Sequence, residues 1–275
     1  LGNFDADSDL EIVVSYSNYN LETKTGSAYI DVLNKDGSHV SGWPVVKQDY
    51  IFNSPAIGDV DGDGNTEIVV GYRDGSGVYV FDKTGQVKSG WPRLTGYYFT
   101  SSPALLDINN DGRLEIVISE YSWGSGNTYV LNYDGTTHSG WPQYKQMSDY
   151  WYAVDFRSPF TTQDGSSKEL IFETAGEKLY GWDKNGNSPP SFPRQTYGYG
   201  MAESGAYVGD IDNDGLLEIV TSGQHETPQG TPLPPMTAVI IWETSITKGN
   251  KIEWPQFRHD GQHTGLYGHD PQSPT

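Results

Sequence analysis

The 275-residue sequence contains no cysteine, so the chain can form no disulfide bond. Small domains that fold outside the cell often depend on disulfides for stability, whereas proteins of reducing compartments do without them. The absence of cysteine therefore leaves two alternatives. Either the chain folds in a reducing compartment, or it folds outside the cell and takes its stability from another source.

Basic residues are also scarce, since 17 Lys and Arg stand against 36 Asp and Glu and give a formal charge of −19. This excess of negative charge disfavours nucleic acid and anionic membrane surfaces as partners. No segment has the pattern of a signal peptide or the length of apolar run needed to cross a bilayer, so we expect no direct membrane insertion. Because the chain starts inside its first repeat, we expect a targeting segment upstream of it.

Common catalytic motifs are missing as well, including Gly-x-Ser-x-Gly, His-Glu-x-x-His and the phosphate-binding loop. His259 and His263 are four residues apart, but Gly261 and Gly265 argue against a helix that would present both to a metal. Four charged residues in aromatic loops resemble the carboxylate pair of a glycosidase or lyase, although loops of an acidic protein carry such residues by chance. They are Asp149, Asp155, Arg157 and Glu203. We predict no catalytic residue.

The most informative feature that is present is an acidic phrase that recurs before a short apolar strand. Its full form has oxygen-bearing side chains at positions 1, 3 and 5, glycine at position 6 and glutamate at position 9. Alternate oxygen ligands in a tight loop are typical of a Ca²⁺ site, and the glycine relieves the turn. An EF-hand places its glutamate at position 12, so glutamate at position 9 directly before a strand indicates a β-structure instead of paired helices. Full copies start at Asp59, Asp107 and Asp210, and a further copy starts at Asn3.

We predict about four Ca²⁺ ions, each held by side chains at positions 1, 3, 5 and 9 and by the backbone carbonyl at position 7. The predicted ligands are Asn3, Asp5, Asp7, Asp9 and Glu11 in loop one; Asp59, Asp61, Asp63, Asn65 and Glu67 in loop two; Asp107, Asn109, Asp111, Arg113 and Glu115 in loop three; and Asp210, Asp212, Asp214, Leu216 and Glu218 in loop five. Asn3 and Asn109 carry no charge, so loops one and three should bind more weakly. Loop four (161–169) lacks the upstream carboxylates and has one residue too many, and we expect no metal there.

Calcium binding bears on the compartment, because the ion is abundant outside the cell and scarce inside it. An extracellular or cell-surface location would let calcium replace the missing disulfides as a source of stability. We therefore predict a secreted or surface protein.

Three signals recur together at intervals of about 50 residues. The anchoring glutamate recurs five times, a Gly-Trp-Pro tripeptide or a relative of it follows each loop, and Ser-Pro-Ala or a relative precedes four of the loops. The Gly-Trp-Pro copies lie at 42–44, 90–92 and 140–142, with related copies at 191–193 and 253–255. Such a period is typical of propellers and solenoids, because one unit cannot bury its own apolar face. We divide residues 1–268 into repeats of about 1–48, 49–96, 97–150, 151–198 and 199–268, followed by a tail of 269–275.

Each repeat predicts four short strands and no stretch has helical periodicity. In repeat two the predicted strands are 55–59, 67–72, 77–82 and 87–92. Four-stranded units match the blades of a β-propeller, and this all-β fold is our prediction, with a β-solenoid or β-sandwich array as the alternative. We favour a closed ring of five blades in which residues 262–267 complete the first blade. A larger propeller with further N-terminal blades is the competing arrangement.

These motifs resemble the FG-GAP/VCBS repeat. The resemblance is carried by the Asp-x-Asp-x-Asp-Gly-x-x-Glu loop at 59–67, with Ser54-Pro55-Ala56 before it. That repeat builds the calcium-bearing propellers of integrin α subunits and of many bacterial and archaeal surface proteins, and related propellers occur in fungal lectins. The Gly-Trp-Pro element and the ending at 254–265 are most similar to prokaryotic secreted members. The resemblance covers residues 1–267, falters in repeat four, and implies an extracellular calcium-bearing propeller.

Aromatic residues are concentrated in the connections between repeats, which should lie on the rim opposite the calcium loops. Tyr and Trp offer large rigid faces with a polar group, which suits sugar rings and the binding hot spots of proteins. The predicted ligand-binding residues are Tyr97, Tyr98, Tyr150, Trp151, Tyr152 and Tyr199. Packing between blades is the competing role for any one of them. The Gly-Trp-Pro tryptophans, which recur at the same place in each repeat, are assigned to packing.

Two classes of function follow. The first is a calcium-stabilised extracellular binding or adhesion module that presents its aromatic face to a glycan or an extracellular protein, as part of a larger surface or secreted protein or together with further copies. The alternative is a polysaccharide-active enzyme, a lyase or hydrolase. The similarity of the repeats favours binding, because an enzyme would need one blade to diverge, but repeat four does diverge.

Overall fold

The computed structural model is an all-β protein, which confirms the predicted fold class. It describes residues 1–20, 22–23, 25–73, 77–96, 98–99, 101–121, 125–146, 160–163, 169–175, 178–190, 192–195, 206–225 and 236–248. These residues form strands and turns but no helix, and therefore none that could cross a membrane. The predicted closing strand at 262–267 lies outside the described residues, so closure of the ring stays a prediction.

The strands form five antiparallel sheets that follow one another along the chain. Sheet one contains β1 (Ile12–Asn20), β2 (Thr25–Leu33) and β3 (Val45–Lys47); sheet two contains β4 (Ala56–Gly58), β5 (Glu67–Tyr72) and β6 (Gly77–Phe81); sheet three contains β7 (Tyr98–Phe99), β8 (Ala104–Leu106), β9 (Glu115–Tyr121), β10 (Ser125–Leu131) and β11 (Gln143–Gln146). Sheet four contains β12 (Phe160–Gln163), β13 (Glu169–Ala175), β14 (Lys178–Asp183) and β15 (Arg194–Gln195), and sheet five contains β16 (Tyr207–Gly209), β17 (Leu216–His225) and β18 (Met236–Thr247). Each sheet falls within one sequence repeat.

Sheets two, three and five have the same local design. A short first strand pairs with the long second strand across an acidic loop, as Gly58 pairs with Glu67 in sheet two. The second and third strands then form an antiparallel pair, for example β5 with β6. In sheet three both β7 and β8 pair with β9. The connection from the previous repeat thus adds the short strand β7 beside the last residues of β9. Sheet one has only a bridge from Gly2 to Glu11 in place of a first strand.

The predicted fourth strand of repeat two, residues 87–92, is wrong. Val87 and Arg93 pair with Phe81 and Val78 as isolated bridges, and the Gly-Trp-Pro tripeptide stands between the two bridges. The tripeptide interrupts pairing because proline has no N–H to donate to the sheet. In repeats one, three and four the fourth strand begins just after the proline, as β3, β11 and β15.

Each Gly-Trp-Pro segment docks on the hairpin turn between the third and fourth strands of the next repeat. The tryptophan rings are buried, and each indole N–H donates a hydrogen bond to a backbone carbonyl of that turn. The three bonds join Trp43 to Lys83 (3.2 Å), Trp91 to Tyr133 (3.1 Å) and Trp141 to Lys184 (3.0 Å). The packing role predicted for these tryptophans is therefore confirmed.

At the same contact the two backbones approach so closely that only glycine fits. A Cβ atom added to Gly90 would lie 2.1 Å from the carbonyl oxygen of Asp134, and one added to Gly135 would lie 2.4 Å from the carbonyl oxygen of Gly90. Gly42 and Gly140 meet the turns that follow them at the same 2.1 Å. The contact thus fixes one sheet against the next with the same geometry in three pairs of neighbouring repeats.

Apolar side chains fill the spaces between neighbouring sheets, so the core is continuous along the array. One cluster joins sheets two, three and four, through residues such as Val69, Ile116 and Ile171. Two further clusters join sheets one and two, and sheets four and five. The first strands also contact one another in order, β4 with β8, β8 with β12 and β12 with β16. No repeat buries its apolar faces alone, which is the behaviour expected of repeat proteins.

A buried ion pair joins sheets three and four. Lys145 and Glu173 are both fully buried and contact each other through Nζ and Oε1. The hydroxyls of Ser119 and Thr128 each donate to Oε2 of Glu173 at 2.6 Å. Every charged atom of the pair is thus neutralised or hydrogen-bonded, as a buried pair must be if it is not to destabilise the fold.

The interlocking glycines can be tested with a matched pair of alanine variants. Gly37 and Gly135 occupy the same position of the same turn, with φ of +84° and +81°, but nothing lies within 4 Å of a Cβ on Gly37. Gly37→Ala should cost about 1 kcal/mol, from the left-handed backbone alone. Gly135→Ala should cost a further ~1–3 kcal/mol, because the carbonyl of Gly90 must move. Denaturant unfolding of both variants would measure the difference, and equal losses would show that the contact yields without cost.

Candidate metal sites

The glutamate at position 9 anchors each of the four acidic loops. It lies at or beside the start of the second strand, is almost fully buried, and accepts a hydrogen bond from the backbone N–H at position 2 through Oε2. The four bonds run from Phe4 to Glu11 (2.7 Å), Val60 to Glu67 (2.9 Å), Ile108 to Glu115 (3.0 Å) and Ile211 to Glu218 (2.8 Å). One carboxylate oxygen is therefore used to hold the loop, and the other oxygen is left for a cation.

The aspartate at position 5 folds each loop by accepting the N–H of position 7, as short polar side chains do in tight turns. The bonds run from Asp9 to Asp7 (2.8 Å), Asn65 to Asp63 (2.8 Å), Arg113 to Asp111 (2.9 Å) and Leu216 to Asp214 (2.8 Å). In loops two and three the aspartate at position 1 also accepts the N–H groups of positions 5 and 6. The four loops therefore share the bonds at positions 5 and 9, and loops two, three and five also share left-handed residues at positions 4 and 6, which loop one lacks.

Three loops bring acidic side chains together, with one ligand atom of each residue within 4.8 Å of the others. The clusters are Asp5, Asp7 and Glu11 in loop one; Asp59, Asp61 and Glu67 in loop two; and Asp210, Asp212 and Glu218 in loop five. Loop three has Asn109 at position 3, and its amide donates to Asp111 at 3.1 Å, so fewer carboxylates meet there. The clusters leave out the predicted ligands at position 7 and some of those at positions 1 and 5. These residues lie in the same loops, and their roles as metal ligands stay predictions.

The residues of these clusters fit a hard cation. Carboxylates this close repel one another unless a proton or a cation lies between them. The side chain of Asp210 is only 6% exposed, yet its Oδ1 has no hydrogen-bond partner, and Oδ1 of Asp61 has none either. Buried oxygens without a donor are costly to the fold, and a cation with oxygen ligands would satisfy them. Bound calcium would supply positive charge that ties the loop to the first residue of the strand.

Burial also changes the protonation of the anchoring glutamates. It raises the pKa of Glu115 to about 7, and the charges of Asp111 and Asp107 act in the same direction. Burial likewise raises the pKa of Glu67 to about 7, although Lys88 opposes the shift. Without a metal ion, Glu115 and Glu67 therefore retain protons close to neutral pH.

Lysines approach three of the loops, and the sequence analysis missed this feature. Nζ of Lys88 lies among several carboxylates of loop two. Lys35 contacts Asp9, and Lys248 lies 3.6 Å from Asp210. Aligning the repeats on Gly-Trp-Pro would have revealed Lys88, because it stands two residues before that motif.

Of the predicted ligand-binding residues, Tyr98 alone is within the described part of the chain. It is 38% exposed and pairs with Tyr121, at the end of β9 remote from Glu115. Tyr98 therefore lies at the end of β9 opposite loop three, and its ligand-binding role stays a prediction. Tyr97, Tyr150, Trp151, Tyr152 and Tyr199 lie outside the described residues, as do the loop residues Asp149, Asp155, Arg157 and Glu203 and the pair His259 and His263.

Beside Tyr98 the structure assembles a small aromatic surface around an arginine. The guanidinium of Arg73 lies 5.0 Å from the ring of Phe52 and 5.6 Å from the ring of Tyr98, within the range of cation–π contacts. Phe52 is 47% exposed, whereas Tyr50, from the same aromatic connection, is buried and serves packing. We call Arg73 and the two exposed rings beside it the Phe52–Arg73–Tyr98 face. Arg73 follows β5 and was not identified from the sequence.

Comparison with known proteins bears on the repeat and on the fold. Residues 59–118, from loop two into β9, match the FG-GAP-like repeat family, which confirms the resemblance for that part of the chain. No curated protein sequence matches the chain.

One solved structure shares the fold of this chain. The V. cholerae biofilm matrix protein Bap1 is 21% identical over 93% of this chain and 39% of its own, with a TM-score of 0.57. This chain thus spans about two fifths of that protein, and the likeness shows a shared fold. A protein of unknown function from Bacteroides caccae is 16% identical over 76% of this chain and 64% of its own, with a TM-score of 0.41. A luciferin-regenerating enzyme is 10% identical over 90% and 83%, with a TM-score of 0.39.

Removal of calcium should destabilise the protein. The unfolded chain has no preformed loop, so calcium at 100 times its dissociation constant would contribute about 2.7 kcal/mol per site. A chelator should therefore lower the melting temperature, and Asp210→Ala should remove one ion from the stoichiometry measured by calorimetric titration. Asp164→Ala, in the predicted metal-free loop four, is the control and should remove none. An unchanged melting curve in chelator would contradict the assignment.

The pH dependence of stability should reverse when calcium is added. In metal-free buffer Glu115 keeps its proton in the folded state up to about pH 7, whereas the unfolded carboxyl loses it near its ordinary pKa of 4.5. Stability from this group is complete below pH 4.5 and is lost as the pH rises through 7. Calcium needs the ionised carboxylate, so in saturating calcium stability should rise over the same range. Melting temperatures between pH 5 and 7.5 would check this, and Glu115→Gln should flatten the metal-free slope.

Proposed function

We propose that this chain is a calcium-stabilised extracellular binding or adhesion module built as a β-propeller. The observation that carries the calcium part is the repeated loop, with its buried glutamate and converging carboxylates. The match of residues 59–118 to FG-GAP-like repeats supports the same reading. An extracellular location follows from this proposal, because loops of this kind need abundant calcium and the chain has no disulfide to stabilise it.

The propeller is supported by the way the sheets contact one another. Consecutive sheets share apolar cores, their first strands meet in order, and the Gly-Trp-Pro contact repeats with one geometry. A constant relation between identical units generates a ring or a regular arc. Residues 262–267 remain our candidate for closing the ring of five, against a larger propeller. The fold shared with a biofilm matrix protein more than twice as long supports membership of a larger surface or secreted protein.

The Phe52–Arg73–Tyr98 face is the described part of the ligand surface in this proposal. Its two exposed rings suit stacking on sugar rings or on protein side chains. Arg73 adds a fixed positive charge in a protein of net charge −19, and no described carboxylate pairs with it. A guanidinium binds carboxylate and sulfate groups well. The ligand proposed is therefore a glycan or an extracellular protein surface that carries such anionic groups.

Binding to immobilised polysaccharides tests the proposal. At physiological ionic strength, where the net charge of −19 is screened beyond about 8 Å and the charge of Arg73 acts locally, polyuronates and sulfated glycans should be retained in preference to neutral glucans. Tyr98→Ala should weaken the interaction about tenfold, equivalent to roughly 1.4 kcal/mol of lost stacking. Tyr144→Ala is the matched control, because Tyr144 is 65% exposed on the outer strand β11. Both variants should melt like the parent protein.

Three outcomes of the same assay would change the conclusion. Equal losses in the two tyrosine variants would remove the face from the proposal, and a ligand mapped to the acidic loops would contradict it. New reducing ends or unsaturated products in the incubated polysaccharide would favour the lyase or hydrolase instead.

A further inference from the structure

We infer that Lys88 is the resident cation of loop two. Its ammonium group takes the place of a metal among the carboxylates, so that this loop is formed without calcium and binds the ion more weakly than its own four carboxylates would without the lysine. The inference rests on the proposed function, because it concerns how well loop two binds calcium among loops that are all proposed to bind it. Counting acidic ligands would not reveal such a weakening, since loop two carries four carboxylates, as many as loop five.

The position of the ammonium group carries the inference. Nζ of Lys88 lies 2.6 Å from Oδ2 of Asp61, 3.1 Å from Oε1 of Glu67 and 3.4 Å from Oδ2 of Asp63. The first two distances are those of charge-assisted hydrogen bonds. Oε1 of Glu67 is the oxygen that the loop's own backbone leaves free, since Val60 donates to Oε2. The ammonium group thus meets the oxygens at positions 3, 5 and 9, which the sequence assigns to the metal.

The fold delivers Lys88 to this position and fixes it there. Its backbone N–H donates to the carbonyl of Val80 in β6 at 2.9 Å, and two residues later Gly90 enters its close contact with Asp134. The backbone is therefore held on both sides of the lysine. The side chain is only 19% exposed and Glu67 is fully buried, so solvent screens the contact weakly.

Repeat two differs in this respect from repeats one, three and four, whereas the related copy at 253–255 places Lys251, outside the described residues, at the same position of repeat five. Alignment on Gly-Trp-Pro and on Phe192-Pro193 places Val40, His138 and Pro189 at the position of Lys88. Val40 is buried in an apolar core, and His138 is hydrogen-bonded to Asn132 at 2.8 Å. None of the three offers a cation to its loop.

The lysines near loops one and five are not equivalent to Lys88. Lys35 and Lys248 each contact a single aspartate, and their side chains are 73% and 50% exposed. Both can leave at little cost when a metal arrives. Lys88 would have to leave three carboxylates at once or remain as a positive charge beside the ion, and either course weakens calcium binding at loop two.

The experiment compares two lysine variants in the whole chain. Lys88→Met removes the proposed resident cation. Lys83→Met is the matched control, because Lys83 lies near the same loop and changes the net charge equally, but its Nζ contacts Oδ1 of Asn65 at 2.9 Å instead of a carboxylate. Calcium titrations by calorimetry, and melting temperatures with and without calcium, are measured for both variants and the parent.

We expect Lys88→Met to raise the affinity of one calcium site at least tenfold and to lower the melting temperature in metal-free buffer, with Lys83→Met close to the parent in both. Adding Asp61→Ala to Lys88→Met should abolish the gained site, which assigns it to loop two. Lys88→Arg, which keeps the charge, should keep the low affinity. If Lys88→Met folds only in calcium, that calcium dependence is itself the expected result.

Equal effects of the two lysine variants, or a loss of affinity in Lys88→Met, would overturn the inference. The two proposals fail separately. If the parent protein binds no calcium at any loop, the proposed function fails, whereas the metal-free melting temperatures still decide whether Lys88 stabilises loop two.

Discussion

The close backbone contact between each Gly-Trp-Pro segment and the following turn is the constraint on which the rest of the array depends. Each sheet has an apolar face that it cannot bury alone, so the position of the next sheet must be fixed before a core can form. The contact of Gly90 with Asp134 does this through backbone atoms, which cannot adjust as side chains do, and the indole of Trp91 adds a directed hydrogen bond. Once neighbouring sheets are fixed, loops two and three meet, with the N–H of Leu114 donating to the carbonyl of Val60 at 2.9 Å.

Local signals were sufficient to predict the all-β class and the acidic loops. Strands predicted at 67–72 and 77–82 are found as β5 (Glu67–Tyr72) and β6 (Gly77–Phe81), because alternation and turn residues act over a few positions. The acidic loops could be located for the same reason, since hydrogen bonds from position 7 to position 5 and from position 2 to position 9 depend on spacing alone, whereas the ligand roles of their residues stay predictions.

The features that the sequence did not reveal all depend on contacts between distant residues. The predicted fourth strand of repeat two does not form, because the Gly-Trp-Pro segment in its middle docks on the turn of the next repeat instead of pairing. Lys88 reaches loop two because a hairpin returns the chain past it, and Arg73 meets Phe52 and Tyr98 because two separate connections converge on the end of β5. Spacing along the chain carries no signal for such contacts, whereas alignment of the repeats would expose the lysine by its difference from Val40 and His138.

The two ends of β5 show how calcium and ligand can influence each other. Glu67 begins the strand in loop two and Arg73 follows its last residue, so the two groups are separated by about 20 Å along a strand of this length. At physiological ionic strength charges are screened over about 8 Å, so an ion in the loop cannot noticeably change the field at Arg73 through solvent. Any influence of calcium on ligand binding must therefore pass through the strand and its buried neighbours. Because β5 is buried along its whole length, calcium would act by holding the strand ordered at both ends, and not by attracting or repelling the ligand.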